Sequence, residues 1–271
     1  MTLLEMRIGD RRVLRLIREW LNAGVMDAEP EVDFARGTPQ GAPISPLLAN
    51  VYLHNVLDDW FAREWRPQEA RGEAYIVRYA DDFVLGLQHR SDAVRFMEAL
   101  RERFTAVGLE LHPEKTRLLE FGRFAIANRH KRGEGRPETF DFLGLTHYCR
   151  IRRDGRFGLG SKPSARRMRR TLKATKVELR RRMHDDPVKT GEWLGRVLRG
   201  WLGYFAVPTS YPMLSRFVRI VRRLWLRSLR RRSQRNRFLW PRLLALSVRL
   251  WPRISILHPW PATRFAVTHS R

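Results

Sequence analysis

Apolar positions follow helical spacing at both ends of this 271-residue chain and condense into short strand-like runs between them. Val13, Leu14, Ile17 and Leu21 form one face behind Asp10, which predicts a helix over Met1–Leu21 with Asp10 placed to cap it. Ser45 suits an N-cap and Pro46 a first helical position, and Leu47, Val51 and Leu57 continue as an apolar stripe. Tyr75-Ile76-Val77-Arg78 and Phe83-Val84-Leu85-Gly86-Leu87 are rich in β-formers and predict the two arms of a hairpin. A helix over Ser91–Val107 follows, then strands near Leu118 and Phe142, with Arg129–Pro137 between them as an exposed polar loop. Asp154-Gly155 predicts a tight hairpin turn.

Beyond that turn the pattern is purely helical. Ser164–Met183 reads as an arginine-rich helix. Trp193, Leu194, Val197, Leu198, Trp201, Leu202 and Phe205 give a second helix a broad apolar face. Phe217, Ile220, Val221, Leu224, Trp225 and Leu229 do the same for a third. These stripes are assigned to core and the arginine faces to the outside. The fold class is therefore α+β, with length for two modest domains and no internal repeat.

The tip of the first hairpin carries the candidate chemistry. Asp81 and Asp82 stand between the two arms, where a carboxylate pair can hold divalent cations beside a reacting phosphate. The chain contains its own controls, Asp58-Asp59 in a helix-like segment and Asp185-Asp186 before Pro187, where a helix is expected to stop. Both of those are read as solvated surface. A second unusual run, Gly37-Thr38-Pro39-Gln40-Gly41-Ala42-Pro43, breaks regular structure and lets backbone approach a ligand.

Four segments then fall in a familiar order: Gly37 to Asn50, Tyr79 to Asp82, Gly108-Leu109-Glu110-Leu111-His112-Pro113-Glu114-Lys115-Thr116, and Phe142-Leu143-Gly144. In order and spacing they resemble group II intron reverse transcriptases over essentially the whole chain. The resemblance implies a partial reverse-transcriptase palm over 1–145 with the catalytic hairpin, a hairpin and linker over 146–160, and a basic α-helical thumb/maturase domain over 161–271. It implies that Asp81 and Asp82 are catalytic, metal-binding aspartates for Mg²⁺ in a two-metal site. It places Gln40 and Gly41 against template and incoming nucleotide. Lys115 falls near the nucleotide phosphates as a candidate proton donor to pyrophosphate; its alternative is a surface lysine at a strand start. Trp193 to Phe205 and Leu257-His258-Pro259-Trp260 are similar to the maturase region, which binds structured intron RNA and assists splicing. The implied activity is that of an RNA-directed DNA polymerase from a mobile element.

One departure matters more than any match. The family's palm needs a third carboxylate from a strand patterned Asp-x-x-x-x-Phe-Asp, and nothing in residues 1–36 fits it. Asp10, Asp27 and Asp33 are the only aspartates before Gln40, and none sits in an apolar strand. The expectation is that the fingers and first palm strand are missing. These 271 residues alone should then show little or no polymerase activity, unless upstream sequence or an N-terminal fragment supplies the strand.

Charge sharpens the second half. Residues 1–150 hold 22 Lys and Arg against 23 Asp and Glu, whereas residues 151–271 hold 31 against 5. No acidic residue follows Glu192. Such asymmetry indicates a polyanionic partner bound with steep salt dependence. Arg166, Arg167, Arg169, Arg170, Arg219, Arg222 and Arg223 are the RNA-binding candidates, because arginine grips phosphate bidentately. RNA of this kind is read mainly by shape and backbone.

Cys149 is alone, which excludes a disulfide framework or thiolate zinc cluster, and no apolar run suits a bilayer or a signal peptide. The expected setting is a bacterial cytoplasm, on RNA or an RNA/DNA template-primer. Three possibilities stay open: a polymerase completed by other sequence, a non-catalytic RNA-binding maturase remnant, and a decayed element.

Overall fold

Helix α1 (Thr2–Glu5) and helix α2 (Arg11–Asn22) open the chain, so the single helix expected there is broken at Gly9-Asp10. Asp10 caps as expected: its Oδ1 accepts the Arg12 N–H at 2.7 Å. Ile17 is buried, but Val13 is exposed. The computed structural model describes residues 1–22, 44–232, 239–261 and 263, and packing divides the chain into units 1–118 and 119–271.

In the first unit α3 (Ser45–Leu53) runs without a break through π-helical turns at His54–Asp59 and Phe61–Trp65 into α4 (Arg66–Glu69). Ile44 holds the cap position, so Ser45 and Pro46 each stand one residue further into the helix than expected. Strands β1 (Ala74–Tyr79) and β2 (Asp82–Leu87) pair antiparallel, and α5 (Arg90–Ala106) packs beneath them. The core joins Val56, Leu57, Trp60, Phe61 and Trp65 to Phe96, Leu100 and Phe104. Trp65 meets Phe96 edge-on at 4.7 Å. Ile76, Phe83, Leu85 and Leu87 turn one hairpin face onto this core, while Tyr75, Val77 and Tyr79 stand exposed on the other. No strand forms near Leu118; residues 116–121 have no regular structure.

The second unit begins with α6 (Ala125–Lys131), which takes the first residues of the stretch read as a loop. Strands β3 (Phe140–Phe142), β4 (Leu145–Ile151) and β5 (Phe157–Pro163) form an antiparallel sheet in that order. The expected turn closes β4 on β5: the Arg152 N–H donates to the Arg156 carbonyl, and Gly155 takes φ +75°. That is a three-residue loop with glycine in the left-handed position. Residues 119–160, grouped by the sequence reading with palm and linker, belong by packing to the same unit as the helices that follow.

Those helices are α7 (Ala165–Arg181), α8 (Pro187–Phe205), α9 (Tyr211–Arg230) and α10 (Trp240–Leu250). A helix does stop before Pro187, since α7 ends at Arg181, and Pro187 then starts the next one. Asp186 is its N-cap, accepting the Val188 and Lys189 N–H groups at 2.7 and 3.1 Å, with proline just inside the start. The tryptophan stripes are core, as expected: Trp225, Leu194, Leu198, Phe217 and Val221 are fully buried, and Trp201 stacks on Phe217 at 3.7 Å. A C-terminal strap closes the unit. The Leu257 and His258 N–H groups donate to the Ala206 carbonyl, and Trp251 Nε1 donates to the Gly191 carbonyl. Among the described residues no helix is long and apolar enough to cross a membrane.

Candidate metal-binding hairpin and basic surface

Strand register fixes where the carboxylates stand. Tyr79 pairs with Asp82, so Ala80 and Asp81 are the two central residues of the turn. Ala80 has φ +55°, a left-handed value that costs a non-glycine residue roughly 1–2 kcal/mol. Asp82 shares its face with Tyr79, on the exposed side of the hairpin, and both aspartates are exposed. The arms are thus buried on one face only.

The three Asp-Asp pairs now separate on physical grounds. Asp58 takes the Arg78 guanidinium in a two-pronged bond, and Asp59 lies near His54 and Arg63. Asp185 faces Arg182, and Asp186 caps α8. Among the described residues neither the Asp81 nor the Asp82 carboxylate has a hydrogen bond or ion pair. Their oxygens are the hard donors Mg²⁺ prefers. The fit is partial, because no group of three or more potential ligands is assembled among the described residues.

Arg78 is the neighbour that sequence reasoning missed. Its Nη1 donates to the Ala80 carbonyl and to Asn50 Oδ1, each at 2.8 Å, and its Nε and Nη2 reach Asp58 at 2.9 and 2.6 Å. Burial works against the Asp58 charge, but the Arg78 hydrogen bonds and charge, helped by His54, outweigh it and hold the carboxyl below its usual range. The same bond to Asp58 pushes the Arg78 pKa up. A signal existed: Arg78 follows Ala74 and Ile76 on the core-facing parity of β1, where a charge demands a partner.

The other expected nucleotide contacts are placed less fully. Gln40 and Gly41 lie outside the described residues. Lys115 is exposed in a turn rather than at a strand start, its N–H donating to the His112 carbonyl. No bond between Lys115 and the hairpin occurs among the described residues.

The basic candidates separate into outer and inner groups. Arg166, Arg167, Arg169 and Arg170 are all exposed on α7, which Ser164 caps. Helical spacing extends them into one stripe with Lys173, Lys176 and Arg180, also exposed, an extension readable from the sequence but not drawn from it. None of these cations has an acidic partner among the described residues. Arg219 and Arg223 are exposed on α9. Arg222 differs from them: it is half-buried, donates to Ser247 Oγ at 2.9 Å and lies 5.5 Å over the Trp251 ring, and burial lowers its pKa.

Residues 2–147 match the family described as reverse transcriptase (RNA-dependent DNA polymerase). The group II intron-encoded protein LtrA of Lactococcus lactis subsp. cremoris is 31% identical over 137 residues, 51% of this chain and 17% of that protein. Protein YkfC of Escherichia coli (strain K12) is 30% identical over 48% of this chain and 43% of its own length. An uncharacterized 91 kDa protein in the cob intron of Schizosaccharomyces pombe is 46% identical over 54 residues, 20% of this chain and 7% of that protein. The matches thus span less than half the length of these relatives.

Proposed function

The chain belongs to the reverse transcriptase (RNA-dependent DNA polymerase) family and is group II intron reverse transcriptase/maturase-like, and on that premise we propose that it joins the carboxylates of a polymerase site to a surface for structured intron RNA. The observation that carries the proposal is the Asp81-Asp82 turn, whose carboxylates, alone of three such pairs, have no partner among the described residues while the turn beneath them is held by hydrogen bonds. Asp81 and Asp82 would hold Mg²⁺. When bound, a metal pair supplies charge stabilisation to the attacking and leaving oxygens of phosphoryl transfer. Gln40 and Gly41 lie along template and nucleotide in this reading, and Lys115 offers a proton to departing pyrophosphate. Residues 1–145 serve as a partial palm and residues 161–271 as thumb and maturase domain.

The third carboxylate is not encoded in residues 1–36, so DNA synthesis by these 271 residues alone should be weak. A misplacement of about 1 Å already costs roughly a hundredfold in rate. The cations of α7, which have no acidic partner among the described residues, supply phosphate contacts for intron RNA and an RNA/DNA template-primer together with Arg219 and Arg223. A second reading, a non-catalytic RNA-binding maturase remnant, is favoured by the absence of a three-ligand group among the described residues.

One pair of variants separates the two readings. RNA-templated primer extension is measured with the chain alone and with an added palm fragment carrying the Asp-x-x-x-x-Phe-Asp strand. Asp81→Ala should abolish the synthesis and leave RNA affinity intact. Charge reversal at Arg166, Arg167, Arg169 and Arg170 should cut RNA affinity. Extension as fast in Asp81→Ala as in wild type contradicts the polymerase reading, and no extension by wild type under either condition supports the remnant.

A further inference from the structure

Two adjacent facts in the hairpin call for one explanation. The turn that carries Asp81 forces Ala80 into a left-handed conformation, and Arg78 spends half of one guanidinium nitrogen's capacity on the carbonyl of that same residue. We propose that Arg78 is a positioning residue for the Asp81-Asp82 turn: it clamps the Ala80 carbonyl from the core side while Asp58 and Asn50 fix its plane and Asp58 cancels its charge. The proposal rests on the reading of Asp81 and Asp82 as metal-holding carboxylates.

Geometry supplies the reasons. The guanidinium has donors in a rigid fork, and here they point to three separate anchors: Asp58, Asn50 and the turn itself. Asn50 and Asp58 come from one helix. In regular α-geometry residues eight apart stand about 80° out of line. The π-helical turn over His54–Asp59 is wider, so each residue in it advances by less, which brings Asp58 back toward the line of Asn50. Asn50 is itself braced, its Nδ2 donating to the Pro46 carbonyl at 2.9 Å.

Charge placement completes the device. Arg78 pairs with Phe83 on the core-facing side, whereas Asp82 pairs with Tyr79 on the exposed side. The cation needed to hold the turn is therefore on the opposite face from the Asp82 carboxylate and is neutralised by Asp58. A bare cation at this place would repel a divalent ion; the paired one holds the backbone without that penalty.

Two variants of the 271-residue chain test this, read by Mn²⁺ paramagnetic relaxation and amide hydrogen exchange. Arg78→Lys keeps the charge but loses the fork. It should speed exchange at Asp82, leave the Tyr75–Gly86 and Val77–Val84 pairs protected, and weaken Mn²⁺ at the turn by about 10- to 100-fold, the range for residues that orient metal ligands. Asp58→Asn should also weaken Mn²⁺, by an amount that shrinks as ionic strength rises, because repulsion from an uncompensated guanidinium is screened. A wild-type turn that binds Mn²⁺ and an Arg78→Lys turn that binds it equally overturn the positioning role alone. A wild-type turn with no Mn²⁺ effect overturns the metal-site reading, and the positioning role with it.

Discussion

Replacing Arg166, Arg169 and Arg170 together by glutamine should flatten the salt dependence of RNA binding by an amount that can be worked out beforehand. The three lie on the stripe formed with Lys173, Lys176 and Arg180, along a 17-residue helix about 25 Å long, and have no acidic partners among the described residues. Glutamine ranks beside arginine in helix propensity, so α7 should survive the change. Each phosphate neutralised contributes about 0.7 to the salt slope on single strands and about 0.9 on duplex. Losing three contacts should therefore reduce the slope by about 2 to 3. Between 50 and 200 mM salt, the affinity gap between wild type and variant should close by roughly 20- to 40-fold. Fluorescence anisotropy with one structured RNA at four or five salt concentrations measures it. Arg222→Met is the internal control, since Arg222 faces Ser247 and Trp251 and should leave the slope unchanged. A triple variant with the wild-type slope refutes the assignment of α7 to the RNA.

Two predictions concern the frame that presents this surface. In α8, a Cβ at Gly195 would meet the Leu250 backbone carbonyl at 2.7 Å, where ordinary contact starts at 3.4 Å, while Gly200 has nothing within 4 Å. Gly200→Ala should stabilise the helix by about 1 kcal/mol. Gly195→Ala should lose more than that to overpacking of about 1–3 kcal/mol plus backbone displacement, and end destabilised. Hydrogen-exchange free energies at Leu198 and Leu202 give both signs, and equal stabilisation by the two substitutions contradicts the packing described. His147 carries the second: burial lowers its pKa, although its Nδ1 sits 3.0 Å from Ser161 Oγ. The unfolded chain therefore binds the proton more readily. Stability is full above the ordinary histidine value of about 6.5 and declines as pH falls below it toward the lowered folded value. Urea titrations followed at the Tyr148 amide should show this slope at pH 5.5–7 in wild type and lose it in His147→Phe; an equal slope in both contradicts it.

What the sequence revealed depended on how local the cause was. The hairpin was legible because its β-rich arms flank a two-residue turn, and the α8 and α9 cores because Leu194, Leu198 and Trp201, or Phe217, Val221 and Trp225, repeat with helical period. Errors of punctuation came from single residues with two uses. The stop expected before Pro187 is there, but the same Asp186-Pro187 pair also starts the next helix, and Gly9-Asp10 breaks a run whose apolar pattern continued through it. The strand expected near Leu118 finds no partner among the described residues, and a strand without a ladder does not persist. The Arg78 clamp was harder, because Asp58 and Asn50 lie 20 and 28 residues away and a π-helical turn aligns them. Arg222 looked like its neighbours in sequence; only the packing of α10 shows that it points inward.

The central claim is that Asp81-Asp82 is a cation site and the other two aspartate pairs are structural. Mn²⁺ titration of the 271-residue chain, read residue by residue through paramagnetic broadening of its amide signals, tests it most directly. The account predicts broadening centred on Ala80–Phe83 at the lowest Mn²⁺ concentrations, lost in Asp81→Asn and Asp82→Asn, with Asp58-Asp59 and Asp185-Asp186 unaffected in that range. Broadening that begins at Asp185-Asp186, or survives both substitutions at the turn, contradicts it.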